Sequence, residues 1–161
     1  MREILFRAKR KDDGEWVEGN YTKLKWCNNI IHVVIPEGAE IDSGDTLYEV
    51  HDINPETLCQ FTGMIDKNGK RIWENDIVSA WSEGKYATGM VKQRIDGLYI
   101  IYPAYQHNEF WGLCPDKNRK TNVEVIGNVL DDKHLLAETD YFREQEQETE
   151  NNHVRIYKRN I

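Results

Sequence analysis

The chain has only three cysteines, Cys27, Cys59 and Cys114, and none stands in a C-x-x-C pair. An odd number at such distances excludes a disulfide framework and is read as free, mostly buried thiols in a reducing compartment. Serine is as scarce. Ser43, Ser79 and Ser82 are all there are, and none sits in the G-x-S-x-G elbow of a hydrolase nucleophile. No phosphate loop is present, because neither Gly84 nor Gly89 is followed by Lys-Ser/Thr. No apolar run approaches the roughly 20 residues that cross a bilayer. The opening Met1–Asp13 is too charged for a secretory signal, so a cytoplasmic protein without membrane contact is expected. Positive charge is also short, at 21 Lys and Arg against 28 Asp and Glu. The resulting −7 argues against general affinity for phosphate backbones, which needs clustered Lys and Arg.

What is present is core-forming. Apolar residues make up 39% and aromatics 11% of 161 residues, enough for one compact domain or two small ones in contact. Trp, Tyr, Ile and Val recur through most of the length, which excludes overall disorder. The negative mean hydropathy predicts a polar surface.

The dominant period is two. Ile4, Phe6 and Ala8 alternate with polar neighbours before Asp13-Gly14 turns the chain into Glu15–Glu18. The same device recurs at Asn68-Gly69, between Phe61–Ile65 and Lys70–Trp73. It returns at Asp96-Gly97, between Met90–Ile95 and Leu98–Tyr102. Such dipeptides tolerate positive φ at both central positions of a type I′ turn, so three antiparallel hairpins are predicted. Further strands are predicted at Tyr21–Trp26, Ile30–Ile35, Thr46–Val50, Ile77–Trp81 and Val123–Ile126, with Gly127 marking a bend or strand end. Asp131-Asp132 is placed to cap a helix carrying Leu135 and Leu136.

The fold expected is therefore all-β and mainly antiparallel. An N-terminal β-sheet part (1–52) precedes an SH3-like small barrel (53–136), and residues 137–161 form a short helix or linker and tail. Bent strands from Glu74 to Tyr102 would close the barrel and remove its exposed edges. The acidic run Glu144–Glu150 precedes a basic-aromatic segment, Val154–Arg159, that could add a strand to a sheet edge. No internal repeat is apparent, and the acidic run is the only low-complexity segment.

Three blocks carry a family resemblance: Ile4–Arg10 followed by Gly14–Gly19; Gln60–Gly63 with Asp66–Lys70 and Glu74–Val78; and Val125–Asn128 before Leu135-Leu136. Present in this order, they resemble the YopX family of bacteriophage and prophage proteins over nearly the whole chain to Leu136. The resemblance implies a β-rich fold with a barrel-like C-terminal part. It brings no activity, catalytic residue or cofactor. Asn75 stands where the pattern calls for Gly, and Asn tolerates the left-handed backbone such a turn requires.

Candidate chemistry is sparse. His51 with Cys59, or His107 with Cys114, could supply soft metal ligands, but separations of eight and seven positions do not match the tight pairs of zinc sites. Asp12-Asp13 and Asp131-Asp132 suit a turn and a helix cap better than acid–base catalysis. No catalytic, cofactor-binding or metal residue is assigned, no cofactor is expected, and the protein is read as not an enzyme. Trp81, Lys85, Tyr86, Lys92, Arg94, Tyr99, Tyr102, Tyr105 and Trp111 mix basic and aromatic side chains as a single-stranded nucleic-acid groove does. The competing reading, preferred on charge, turns most of these aromatics inward as core. The function expected is a phage accessory role through a protein partner of host or phage, with a homo-oligomer as a further possibility. Weak binding of single-stranded nucleic acid is the alternative.

Overall fold

A computed structural model describes residues 4–27, 29–39, 50–82, 84–103 and 109–136. The expectations for Thr46–Glu49, Tyr105, His107, Ser43 and the tail 137–161 lie outside them. The architecture is all-β and mainly antiparallel, in two sheets.

Turn chemistry shows how the hairpins form. At 66–70, the Asp66 N–H donates to the Lys70 carbonyl and the Gly69 N–H to the Asp66 carbonyl, which makes a three-residue loop. Arg94 to Leu98 repeats those bonds. Only Gly69 (φ 88°) and Gly97 (φ 84°) take positive φ in these two loops. They are therefore type I turns closed by a left-handed glycine, the second common hairpin class, and not the type I′ turns predicted. The first hairpin differs again. Arg10 and Glu15 bracket a four-residue loop in which Gly14 alone has positive φ (76°).

Contacts divide the chain into two compact units, Met1–Met64 with Arg71–Glu74 and Ile65–Lys70 with Asn75–Ile161. The first holds a sheet in the order β4-β3-β2-β1-β5-β6. Its strands are β1 (Phe6–Lys9), β2 (Trp16–Trp26), β3 (Asn29–Pro36), β4 (His51–Asp52), β5 (Cys59–Ile65) and β6 (Arg71–Trp73). This division differs from the boundary expected at 52/53, because Phe6 and Arg7 of β1 pair with Gln60 and Cys59 of β5. Adjacent Trp16 and Val17 on β2 serve different clusters, as period two requires. Val17 packs with Ala8, Val34 and Ile53, whereas Trp16 lies against Leu5, Cys59, Phe61 and Trp73. The buried Arg7 guanidinium lies 4.8 Å from the Trp16 ring centre and 5.4 Å from that of Trp73, a cation between two π-faces.

The second unit carries a sheet ordered β10-β9-β8-β7-β11. The strands are β7 (Asp76–Ser82), β8 (Lys85–Gln93), β9 (Tyr99–Tyr102), β10 (Trp111–Gly112) and β11 (Glu124–Asn128). Among the described residues no pairing joins β10 to β11, so the ladder is a five-stranded sheet with two ends. The barrel closure expected from the bent strands is not a feature of these pairings. Asn75 adopts φ 64°, the left-handed turn foreseen for it. Gly127 lies inside β11 at a bulge, where a Cβ would sit 2.7 Å from the Asp132 carboxylate. The helix predicted to carry Leu135 and Leu136 is a single 3-10 turn, Lys133–Leu136. Asp132 does not cap it, because its carboxylate accepts from the Asn128 N–H at 3.0 Å. The turn still buries Leu136 against Ile77 and Met90.

Candidate binding groove

An open groove of about 880 Å³ lies within the second unit. Its floor is apolar and buried, from Ala80 on β7, Ile101 on β9 and Val123 before β11. Trp81, Phe110 and Trp111 line it, and Lys67, Lys120 and Cys114 complete the polar side. Trp81 keeps 51% and Phe110 48% of their surface in solvent, which is unusual for groups this large and apolar. Tyr86, 71% exposed, stands edge-on to Trp81 with ring centres 4.5 Å apart. That contact follows from register, since Trp81 and Tyr86 face each other across β7 and β8.

Two turns position the lysines. Asp66 Oδ1 accepts from the N–H groups of Asn68 (2.7 Å) and Lys70 (2.8 Å), and Oδ2 from Val125 (3.2 Å). Burial alone would push this carboxyl's pKa up, but the N–H groups of Lys70, Val125 and Asn68 outweigh it and hold the pKa below the usual value. Asp116 repeats the arrangement, accepting from Asn118 (2.8 Å) and Lys120 (2.9 Å). The two pentapeptides are near-copies, Asp66-Lys67-Asn68-Gly69-Lys70 and Asp116-Lys117-Asn118-Arg119-Lys120. In the second, Arg119 takes the left-handed angle (φ 63°) that Gly69 takes in the first. Backbone bonds lock the copies side by side. Ile65 N–H donates to the Arg119 carbonyl, Thr121 N–H to the Ile65 carbonyl and Lys67 N–H to the Val123 carbonyl, each at 2.9 Å. The chain therefore contains a short internal repeat, contrary to the expectation of none.

Of the basic-aromatic set singled out in the sequence, Trp81 and Trp111 line the groove and Tyr86 adjoins Trp81. Among the described aromatics of that set, Tyr99 alone is buried. This corrects the reading that most of those aromatics turn inward. Lys92 lies 5.3 Å from the Tyr102 ring centre, and Arg94 lies 5.0 Å from that of Phe110 while pairing with Asp96. Lys85 opens β8. Sequence reasoning missed Lys67, Phe110 and Lys120 and considered Cys114 only as a metal ligand, and the doubled pentapeptide was the signal that could have found the lysines.

The remaining candidates do not converge. Among the described residues no three of His, Cys, Asp and Glu gather as a metal site requires. Cys59 is buried with its thiol donating to the Thr57 carbonyl, but Cys27 and Cys114 are exposed, which corrects the expectation of mostly buried thiols. Asp12 and Asp13 are held by Arg10 in the first turn. No helix among the described residues is long and apolar enough to cross a membrane.

The YopX protein family model matches residues 5–137. The chain belongs to that family. Among solved structures it is similar to protein EF1440 from Enterococcus faecalis, at 25% identity and a TM-score of 0.41, over 84% of this chain and 99% of that one. No curated protein matches the chain.

Proposed function

We propose that this YopX-family chain is a phage- or prophage-encoded accessory protein that acts by binding, with the aromatic groove of its second unit holding a protein partner from host or phage. The observation that carries this reading is the solvent-facing apolar surface of Trp81 and Phe110 over a buried apolar floor. Exposed aromatics clustered in a concavity are what protein partners desolvate, and such residues dominate interface energetics. Three of the polar groups nearby are engaged in structure. The Asp116 carboxylate serves its own turn, the Thr121 hydroxyl donates to the Ile65 carbonyl (3.0 Å), and Lys67 pairs with Glu124 (2.6 Å). A cytoplasmic setting fits exposed free thiols at Cys27 and Cys114.

The test is tagged recovery from lysate of a phage-carrying host, with and without nuclease, using the full chain and a Trp81→Ala/Phe110→Ala variant of unchanged circular dichroism. A defined protein recovered by the wild type in both samples, and lost with the variant, is the expected result. Recovery indifferent to the variant would remove the groove from the function. Recovery that vanishes with nuclease would favour single-stranded nucleic acid. The genes flanking this one in its source genome check the phage assignment.

A further inference from the structure

We infer that the partner segment held in the groove is an extended acidic peptide, with carboxylates placed next to aromatic or proline side chains. This rests on the groove being the partner site proposed above. The ground for it is the doubled turn, which concentrates Lys67, Lys70, Lys117, Arg119 and Lys120 on two loops locked together by backbone bonds. Lys67 is paired with Glu124, but Lys70, Lys117, Arg119 and Lys120 form no ion pair among the described residues. The carboxylates of Asp66 and Asp116 accept from their own turns' N–H groups, so they are engaged locally. On a chain of net charge −7 this is a local field of opposite sign, bordering an apolar trough. Such a field steers and selects a negatively charged partner.

The distribution of charge decides between an acidic peptide and a nucleic acid. A phosphate backbone asks for cations along the whole groove. Here the cations that line the groove, Lys67 and Lys120, both belong to the twin turns, Lys92 lies against the Tyr102 ring, Arg94 near Phe110 is neutralised by Asp96, and the Glu124 carboxylate stands beside Lys67. Positive charge confined to one side suits a short run of carboxylates, while Trp81, Phe110 and Trp111 receive the apolar residues that flank it.

The experiment pans a random short-peptide display library on the immobilised full chain. Parallel selections use a Lys70→Glu/Lys117→Glu/Lys120→Glu variant and the Trp81→Ala/Phe110→Ala variant. The wild type should enrich peptides combining Asp or Glu with aromatic residues or proline. Individual clones should bind the charge-reversed variant roughly tenfold more weakly, a loss of about 1.4 kcal/mol. Neutral or basic winners, or the same winners on wild type and charge-reversed protein, would overturn the acidic preference and leave the groove as a partner site. Enrichment that does not depend on Trp81 and Phe110 would sink the groove reading itself. Displacement of the acidic clones by an oligothymidylate that binds with steep salt dependence would replace the peptide with a nucleic acid.

Discussion

Asp66 and Asp116 occupy the same place in two copies of one turn, so replacing each by alanine compares a buried acceptor of three N–H bonds with an exposed acceptor of two. Asp66 is 1% exposed and accepts three N–H bonds, at 2.7, 2.8 and 3.2 Å. Asp116 is exposed and accepts two, at 2.8 and 2.9 Å. Hydrogen bonds to a charged acceptor contribute about 1.5–3 kcal/mol each, and a donor left unpaired away from water costs about 1–3 kcal/mol. Two of the Asp66 donors come from exposed residues and regain some water. Asp66→Ala should therefore cost about 2–4 kcal/mol and Asp116→Ala about 1 kcal/mol or less. In urea, with a slope of about 1–3 kcal/mol/M, the first change lowers the midpoint by roughly 1–2 M and the second hardly moves it. Asp66→Asn keeps an acceptor but loses the charge, and should cost about 1–2 kcal/mol. The pH dependence follows from the sign of the shift. The folded pKa of Asp66 lies below the ordinary value, so its ionised form contributes stability that is complete above the unfolded pKa of about 3.9. That contribution is lost as pH falls through the folded pKa. The gap between wild type and Asp66→Asn should hold near pH 6 and close as pH drops below about 4. Equal midpoint shifts for the two alanine variants, or a gap constant through acid, would refute the claim that buried N–H satisfaction at Asp66 anchors the paired turns.

Arg119 holds φ 63° in the position Gly69 fills in the other copy, so Arg119→Gly should stabilise by about 0.5–1 kcal/mol, read as a higher urea midpoint. A Cβ on Gly89 would lie 2.2 Å from the Pro103 carbonyl oxygen, a backbone atom that cannot step aside. Gly89→Ala should cost about 3 kcal/mol and broaden the groove-side amide resonances in a heteronuclear NMR spectrum. Native protein should yield two thiols to a colorimetric reagent, those of Cys27 and Cys114, with the third, Cys59, appearing only in denaturant.

Strand identity was readable because it depends on short-range chemistry. Period-two alternation and glycine at turn positions need only a few consecutive residues, so β2, β3, β7, β8 and β9 were all foreseen, as was the left-handed Asn75. Turn type was misjudged because Asn-Gly and Asp-Gly were read as a two-residue loop. The closing bonds in fact run from Asp66 to Lys70 and from Arg94 to Leu98, which leaves only the glycine left-handed. The two-residue strands β4 and β10 are too short to carry a period at all. The predicted helix is cut to one 3-10 turn, where one local bond won over another. Asp132 found a better donor in Asn128, a residue whose N–H the β11 bulge presents to it.

The groove was hidden for a different reason. Its lining comes from 67, 80–81, 101 and 110–123, stretches brought together by the pairing of β7 with β8, β8 with β9 and β9 with β10 and by the backbone bonds between the twin turns. Alternation along one strand cannot say whether an outward Trp81 faces bare solvent or the side of a trough. Residue spacing did place Trp81 and Trp111 in a basic-aromatic set, but it assigned the cations to 85–94. The field that matters arises at 67–70 and 117–120, where a repeat is masked because arginine stands in for glycine at one position. Such a substitution carries a conformational cost of about 1 kcal/mol. Tolerating that cost keeps one more guanidinium on the charged face. A stabilising Arg119→Gly that also weakened the acidic clones would therefore tie the strain to binding, whereas unchanged binding would leave Arg119 without that role.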